Sequence, residues 1–344
     1  MNKANDYTRD CLDPWTYLEV FVNQNVRPCC ILHPYGKLGD GDLNSIRKNA
    51  EFVKLRQDLL NGHLNHRCAN YHIRAKIPVP QFRAKVRKAH ETANSPHLGL
   101  PLPLTQLRID LSTNCNLRCD YCAVSSPIFQ GRDLPEVHFA DMIALIKQMP
   151  KNSTISVNGH GETTFHPKWR SFCQDILDAG HRPEITTNLG LHYSDQEIET
   201  LAQFRIVQVS LDSTDEAMMR DIRKAVKVSH VFENIRRIRA ASKRLRPKAP
   251  VAITFSVGIY DPAVWGLRDS IQDMLNIGGR GFTFWNLVEM PHQQKVQHIR
   301  HLGDNHASEL RQILSDVRAI LKGARAGYHF AGDFNDAQGN SLLS

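Results

Sequence analysis

The sequence predicts an α/β protein: a parallel sheet with crossover helices, preceded by a small Cys-rich α+β module. Three observations carry this. From residue 104 onward, short β-branched runs alternate with runs of helical patterning, and such alternation builds a parallel sheet whose helices connect successive strands. Seven of the eight cysteines fall into two groups, one before residue 78 and one directly after the first of those β-rich runs. No stretch approaches the roughly 20 apolar residues of a membrane helix.

Along the chain, residues 1–78 hold the first cysteine group. Residues 79–103 carry proline, glycine and charge with little periodicity and read as a linker. The core is expected over 104–325, and 326–344 reads as a poorly ordered tail. The expected strands are 107–112, 154–159, 184–188, 206–212, 252–259 and 282–288, with helical runs such as VHFADMIALIKQM and VFENIRRIRAAS between them. Right-handed crossovers allow six such units to curl into an open barrel. Ligands in such folds sit at the C-terminal ends of the strands, so the residues after each run are the ones that matter.

The start of the chain, MNKANDYTRDCLDPW, has no apolar core and does not read as a signal peptide. A cytoplasmic protein without membrane partners is expected, and in a reducing compartment clustered cysteines point to metal or catalysis. Lys and Arg number 43 against 35 Asp and Glu, a net charge of +8. That excess suits anionic partners, nucleic acid among them, or simply a basic surface. The densest basic run, Arg236–Lys248, has no interleaved aromatics and reads as a solvated helix face. Cys173, alone in SFCQDIL, reads as a buried small apolar residue.

The run LRIDLSTNCNLRCDYCAVSS places Cys115, Cys119 and Cys122 in C-x3-C-x2-C spacing after the first strand. Three thiolates on one loop can bind three corners of an iron–sulfur cube, leaving the fourth iron open. Spacing alone also admits zinc, which would want a fourth Cys or His nearby, and it admits chance. The second strand ends in VNGHGETTFHP, with Gly161 and Glu162 in a G-x-G-E segment; glycine permits close backbone approach and a carboxylate suits an ammonium. The third ends in ITTNLG, with Asn188, and the fourth in VSLDSTDEAMMRDIRKAV, with Ser210, Asp212 and Arg223. Taken one at a time, these segments are equally ordinary turns and surface residues.

Together, and in this order, they resemble the radical S-adenosylmethionine (SAM) superfamily. The family motif is C-x3-C-x-aromatic-C, and Tyr121 fills its aromatic position. The resemblance spans roughly residues 104–290 and implies a partial (β/α)6 radical SAM barrel. It implies a [4Fe–4S] cluster on Cys115, Cys119 and Cys122, whose open iron binds SAM through the amino and carboxylate groups. One electron then cleaves SAM to methionine and a 5′-deoxyadenosyl radical, which removes a hydrogen atom from substrate. An electron donor such as flavodoxin or ferredoxin is implied. Gly161 and Glu162 match the G-G-E-P-like segment that holds the SAM amino group, with Thr163 where proline is common. Thr187 and Asn188 match T-N-G, with Leu189 in the glycine position. Ser210 and Asp212 would face the ribose or methionine part of SAM, and Arg223, or Arg220 or Lys224, its carboxylate. Val257 and Gly258 would offer backbone groups to the adenine. Trp285, Asn286, His160, His166, Tyr260, Glu289 and His292 lie at strand ends or just beyond them.

The first zone resembles the auxiliary-cluster module called SPASM, through C-x-x-P-W, V-x-P-C-C and a later cysteine. Here it precedes the core, where such modules usually follow it. Cys11, Cys29, Cys30 and Cys68 would supply ligands, while Tyr71 stands where a final cysteine is expected. TYLEVFVNQNVRPCC reads as a small hairpin. A module of this size has little core of its own and calls for a metal or a partner surface. A second iron–sulfur cluster, zinc and metal-free thiols remain open there. The function implied is hydrogen abstraction from a peptide or sugar-type substrate, leading to oxidation, epimerisation or cross-linking. The rivals are an RNA modifier on the same scaffold and a non-catalytic zinc-binding interaction protein.

Overall fold

The computed structural model describes residues 6–70, 74–95, 97–224, 226–302, 304–336 and 338–343. Tyr71, expected to break the cysteine pattern, lies outside the described residues. The chain divides into two compact units. One comprises residues 1–111, 133–157 and 174–182, and the other comprises 112–132, 158–173 and 183–344.

The first unit carries strands β1 (Tyr7–Arg9), β2 (Tyr17–Val20), β3 (Asn25–Arg27), β4 (Gly36–Lys37), β5 (Lys76–Pro78), β6 (Gln106–Ile109) and β7 (Thr154–Val157). β2 and β3 form the expected antiparallel hairpin, and β3 pairs with β4. β2 also runs parallel to β6, and β6 parallel to β7. β1 and β5 make a separate antiparallel pair. The helices are α1 (Asp13–Thr16), α2 (Leu43–Ile46), α3 (Ala50–Leu60), α4 (His66–Ala69), α5 (Val79–Thr92) and α6 (Phe139–Gln148), and α7 follows at Trp169–Asp178.

Two expectations for this unit are corrected. Residues 79–92 are helix α5, where a linker is expected. Pro80 sits in the first turn of α5, where a missing N–H costs nothing. Val79, Phe82, Val86 and His90 recur at helical spacing and are buried. The unit also has a substantial core of its own, because α5 completes it. Trp15, from the C-x-x-P-W segment, is fully buried with Leu55, Leu59, Phe82 and Val86. Its ring meets Phe82 edge-on with centroids 5.9 Å apart, and its indole N–H donates to the Leu98 carbonyl at 2.7 Å. Burying a large aromatic with its polar atom paired is the economical way to fill such a core.

The second unit carries β8 (Glu184–Thr187), β9 (Ile206–Ser210), β10 (Ala252–Asp261), β11 (Gly281–Asn286), β12 (Gln297–His298) and β13 (Gly327–Ala331). Within it β8, β9, β10, β11 and β13 pair in that order, all parallel. β12 adds a short antiparallel contact to the end of β10. Its helices are α8 (Asp195–Ala202), α9 (Glu216–Arg223), α10 (Val228–Leu245), α11 (Leu267–Asn276) and α12 (Asp304–Gly323). All six expected strands exist, each within a few residues of its expected bounds. The expected tail contains β13, and beyond it Phe334 and Leu342 are buried. Phe330 stacks on Phe284 at 4.7 Å, so apolar burial orders a segment whose composition reads as loose.

On α10, Arg236 pairs with Glu233, Arg237 with Asp195 and Arg244 with Glu199, while Arg239 donates to the Ile277 carbonyl. These pairs take up much of the basic run. No helix among the described residues is long and apolar enough to cross a membrane.

The helical reading of 79–92 has a direct check. Phe82→Ala should lower unfolding free energy by about 3–5 kcal/mol in urea titrations, the cost of a cavity in a packed core. A solvated linker would register almost nothing.

Candidate functional site

The cysteine loop is built by contacts on three sides. Gly161 donates to the Ser112 carbonyl at 3.2 Å, and the Glu162 amide donates to the Asn114 carbonyl at 2.8 Å. A Cβ on Gly161 would lie 2.4 Å from the Asn114 oxygen and 2.6 Å from the Ser112 oxygen. Only glycine permits this approach of two backbones. On another side, the Asp120 amide donates to the Ile222 carbonyl at 2.9 Å, fixing the Cys119–Cys122 stretch to the end of α9. On the third, the Gln294 and Lys295 amides donate to the Asp120 carboxylate, and a His292 ring nitrogen lies 2.9 Å from the Cys122 carbonyl.

Beneath the loop lies a buried polar hub. Asp212 is fully buried, and its Oδ2 accepts from the hydroxyls of Tyr121 (2.8 Å) and Tyr260 (2.6 Å). The same oxygen accepts from Arg223 Nε (3.0 Å) and Nη2 (2.9 Å), while Oδ1 accepts from the Gly258 amide (2.8 Å). Arg223 Nη1 donates to the Ser210 carbonyl at 2.7 Å. Burial alone would pull the Arg223 pKa down, but the facing Asp212, joined by Tyr121, Cys119 and Tyr260, outweighs it and holds it well above the ordinary value. Burial, reinforced by the Asp212 charge, holds both tyrosines protonated as donors, against the pull of Arg223. Tyr121 also packs against Tyr260 and Trp285, each with centroids 5.3 Å away.

Asp212 and Arg223 are expected to face SAM. In the structure they pair with each other: the carboxylate accepts from protein donors, and the guanidinium donates to Asp212 and the Ser210 carbonyl. Glu162 is held by protein donors in the same way. Its Oε1 accepts from the Thr164 amide and hydroxyl and the Thr187 hydroxyl, and its Oε2 from the Asn188 amide at 2.7 Å. A carboxylate offers about four lone-pair positions, so little remains for an ammonium. Burial raises the Glu162 pKa against the pull of those hydrogen bonds.

Asn188 lies against the cysteines, its amide nitrogen 2.9 Å from Asn116 Oδ1 and 3.8 Å from Cys115 Sγ. The Ser210 hydroxyl makes no hydrogen bond among the described residues. Leu189 holds φ at +52°, the left-handed conformation that glycine takes without cost. The strain is offset by full burial of its side chain and by Asn234, which donates to the Leu189 and Leu191 carbonyls at 3.0 Å.

Of the other strand-end residues, Tyr260 joins the hub and His292 braces the loop. His166 is buried and accepts from the Lys168 amide. Glu289 is paired with Arg300 and His301. Gly258, expected near adenine, gives its amide to Asp212. Asn116, which sequence reasoning passed over, is the partner of Asn188; its position one residue after Cys115 was the available signal.

The thiols of Cys115 and Cys119 are pushed up, by burial first, to about 11 and about 12. A positive group is what makes thiolates stable there, with protons released on binding. Cys122 adds to the rise at both thiols, and Cys115 adds to it at Cys119.

In the first unit Cys11 follows β1, Cys29 and Cys30 follow β3, and Cys68 lies in α4. All four line one cavity, together with Arg9 and Arg74. Arg9 donates to the carbonyls of Cys68, Arg74 and Ala69, and Arg74 pairs with Asp13 at 3.0 Å. Burial pushes Cys29 up to about 12 and raises Cys11 and Cys68. Cys173 is buried, as expected. Among the described residues, no group of three or more His, Cys, Asp or Glu side chains is placed to hold a metal ion. The fit of a cluster at either place therefore rests on donor type and on how the backbone gathers the thiols.

Three substitutions test the architecture. Asp212→Asn should cost about 3–5 kcal/mol in chemical denaturation, because it leaves Arg223 buried without its counter-charge. Tyr260→Phe should cost about 1.5–3 kcal/mol, with the two effects coupled in a double-mutant cycle. Gly161→Ala should lower stability by about 1–3 kcal/mol through overpacking against the loop.

Solved structures share this fold at low sequence identity. SuiB of Streptococcus suis bound to S-adenosylmethionine aligns at 15% identity and a TM-score of 0.53, over 84% of this chain and 63% of that one. The same protein bound to the precursor peptide SuiA aligns at 16% identity and a TM-score of 0.52, over 74% of this chain and 54% of that one. anSMEcpe with bound AdoMet aligns at 14% identity and a TM-score of 0.51, over 66% of this chain and 61% of that one. The chain thus spans less than two thirds of the length of these relatives. No curated protein matches the sequence. Residues 109–260, which contain the three-cysteine loop and the buried hub, match the family model of the radical SAM superfamily.

Proposed function

We propose that this chain is a radical SAM enzyme acting on a peptide or sugar-type substrate, with a [4Fe–4S] cluster held by Cys115, Cys119 and Cys122. The single observation that carries the reading is the loop itself. Three thiols in C-x3-C-x2-C spacing sit on a backbone braced by Gly161, Asp120 and the Tyr121–Asp212 bond, inside a segment that matches the family model. When bound, the cluster supplies an electron for reductive cleavage of SAM at its open iron. We assign SAM binding to Asn188, which lies beside Cys115, to the Ser210 hydroxyl at the end of β9 and to the backbone of Gly161. Glu162, Asp212 and Arg223 act as positioning residues: they fix the turns that carry those groups and keep water out of the hub. Fold kinship with a structure holding a precursor peptide favours a peptide over a sugar.

In this reading Cys11, Cys29, Cys30 and Cys68 hold a second iron–sulfur cluster in a SPASM-like module. Support comes from the cavity that all four line and from the adjoining arginines, whose charge suits an anionic thiolate cluster. Flavodoxin or ferredoxin is the expected electron donor, and the cytoplasm the expected compartment.

Anaerobically reconstituted protein with dithionite and SAM should form 5′-deoxyadenosine, and Cys119→Ala should abolish it. Full cleavage by that variant would refute the ligand assignment. Replacing Cys115, Cys119 and Cys122 together with alanine should leave iron and labile sulfide bound at the N-terminal cysteines. A colourless, iron-free triple variant would remove the second cluster from the proposal.

A further inference from the structure

A cleft of about 380 Å³ lies in the first unit, away from its cysteines, and a buried cation faces it. The cation is Arg47, 4% exposed at the end of α2. Its Nη2 donates to the carbonyls of Trp15 (2.8 Å) and Leu102 (2.6 Å). Its remaining N–H groups have no acceptor among the described residues, and Arg47 lines the cleft. Behind it lies Arg56, fully buried, which donates to the carbonyls of Pro14, Gly99 and Arg47. Neither guanidinium forms an ion pair among the described residues. Asp42, on the same short segment, is engaged with the Asn44 and Ser45 amides and the Ser45 hydroxyl.

Two buried positive charges without a counter-charge are costly, since burial penalises the charged form. The penalty shows in both groups: burial lowers Arg47 to about 10 and, with Arg47 adding to it, lowers Arg56 to about 9. The nearby His90 is lowered as well, by burial and by Arg56. An anion in the cleft would neutralise this strip and accept the free N–H groups of Arg47. The rest of the lining describes its carrier. Exposed Lys48 supplies a second cation, and Leu104, Leu145 and Met149 supply an apolar wall.

We propose that this cleft binds a small organic carboxylate with an apolar body, its carboxylate on Arg47 and Lys48 and its body against Leu104, Leu145 and Met149. No existing assignment of the cysteine chemistry is needed for it, and binding can be read without a cluster.

The test is calorimetric titration of the full chain with hexanoate, with hexanamide as the neutral isostere and with inorganic phosphate. Hexanoate should bind saturably and at least about tenfold tighter than hexanamide, and tighter than phosphate. Lys48→Glu, a change at an exposed position, should weaken hexanoate at least about fivefold while leaving hexanamide unaffected. Equal binding of acid and amide, or no saturable binding, would overturn the anion site. Phosphate binding as tight as hexanoate would overturn the apolar body. Hexanoate binding indifferent to Lys48→Glu would overturn the location.

Discussion

The Asp212 carboxylate is the constraint on which the candidate site depends. A buried carboxylate is tolerable only when every lone pair is engaged and a counter-charge is at hand. Here Tyr121, Arg223, Gly258 and Tyr260 meet both demands, and they come from three parts of the chain: the cysteine loop, α9 and, for the last two, β10. Satisfying one side chain therefore ties the loop, a helix end and a strand end into a single arrangement. The same logic is repeated on a smaller scale by Glu162, which joins its own turn to the Thr187–Asn188 turn after β8.

This arrangement divides labour between charged and neutral groups. Asp212 and Arg223 are buried and used up on each other, and Glu162 is buried among neutral donors. Beside Cys115 the neighbouring side chains are the neutral amides of Asn116 and Asn188. Such a surface discriminates by shape and hydrogen-bond geometry, with the electrostatic demand already met beneath it. The aromatic trio of Tyr121, Tyr260 and Trp285 completes the floor and excludes water from the hub.

Much of this was legible in the sequence. The six β-rich runs became strands because period-two burial and β-branching agree with their position in a parallel sheet, as in Ile206–Ser210. The three cysteines were legible because their spacing and place after a strand are both unusual. What sequence misjudged was partnership. Glu162, Asp212 and Arg223 stand out in the sequence, yet spacing carries no information about which donors a carboxylate will meet once folded. Helix α5 was obscured because Pro80 looks like a breaker when its helical position is unknown, and because Lys and Arg mask the Val79–Phe82–Val86 stripe. β13 was obscured because GYHFA is short and set in polar surroundings, and its order comes from Phe284 and other residues far away in sequence.

The placement of β13 has one more consequence. Its backbone covers the hydrogen-bonding flank of β11, from Gly281 to Trp285. A chain cut before Gly327 would leave those amides and carbonyls as an open template for any extended strand, beside a phenylalanine-rich face. With β13 in place, the sheet's edge among the described residues is instead this five-residue strand.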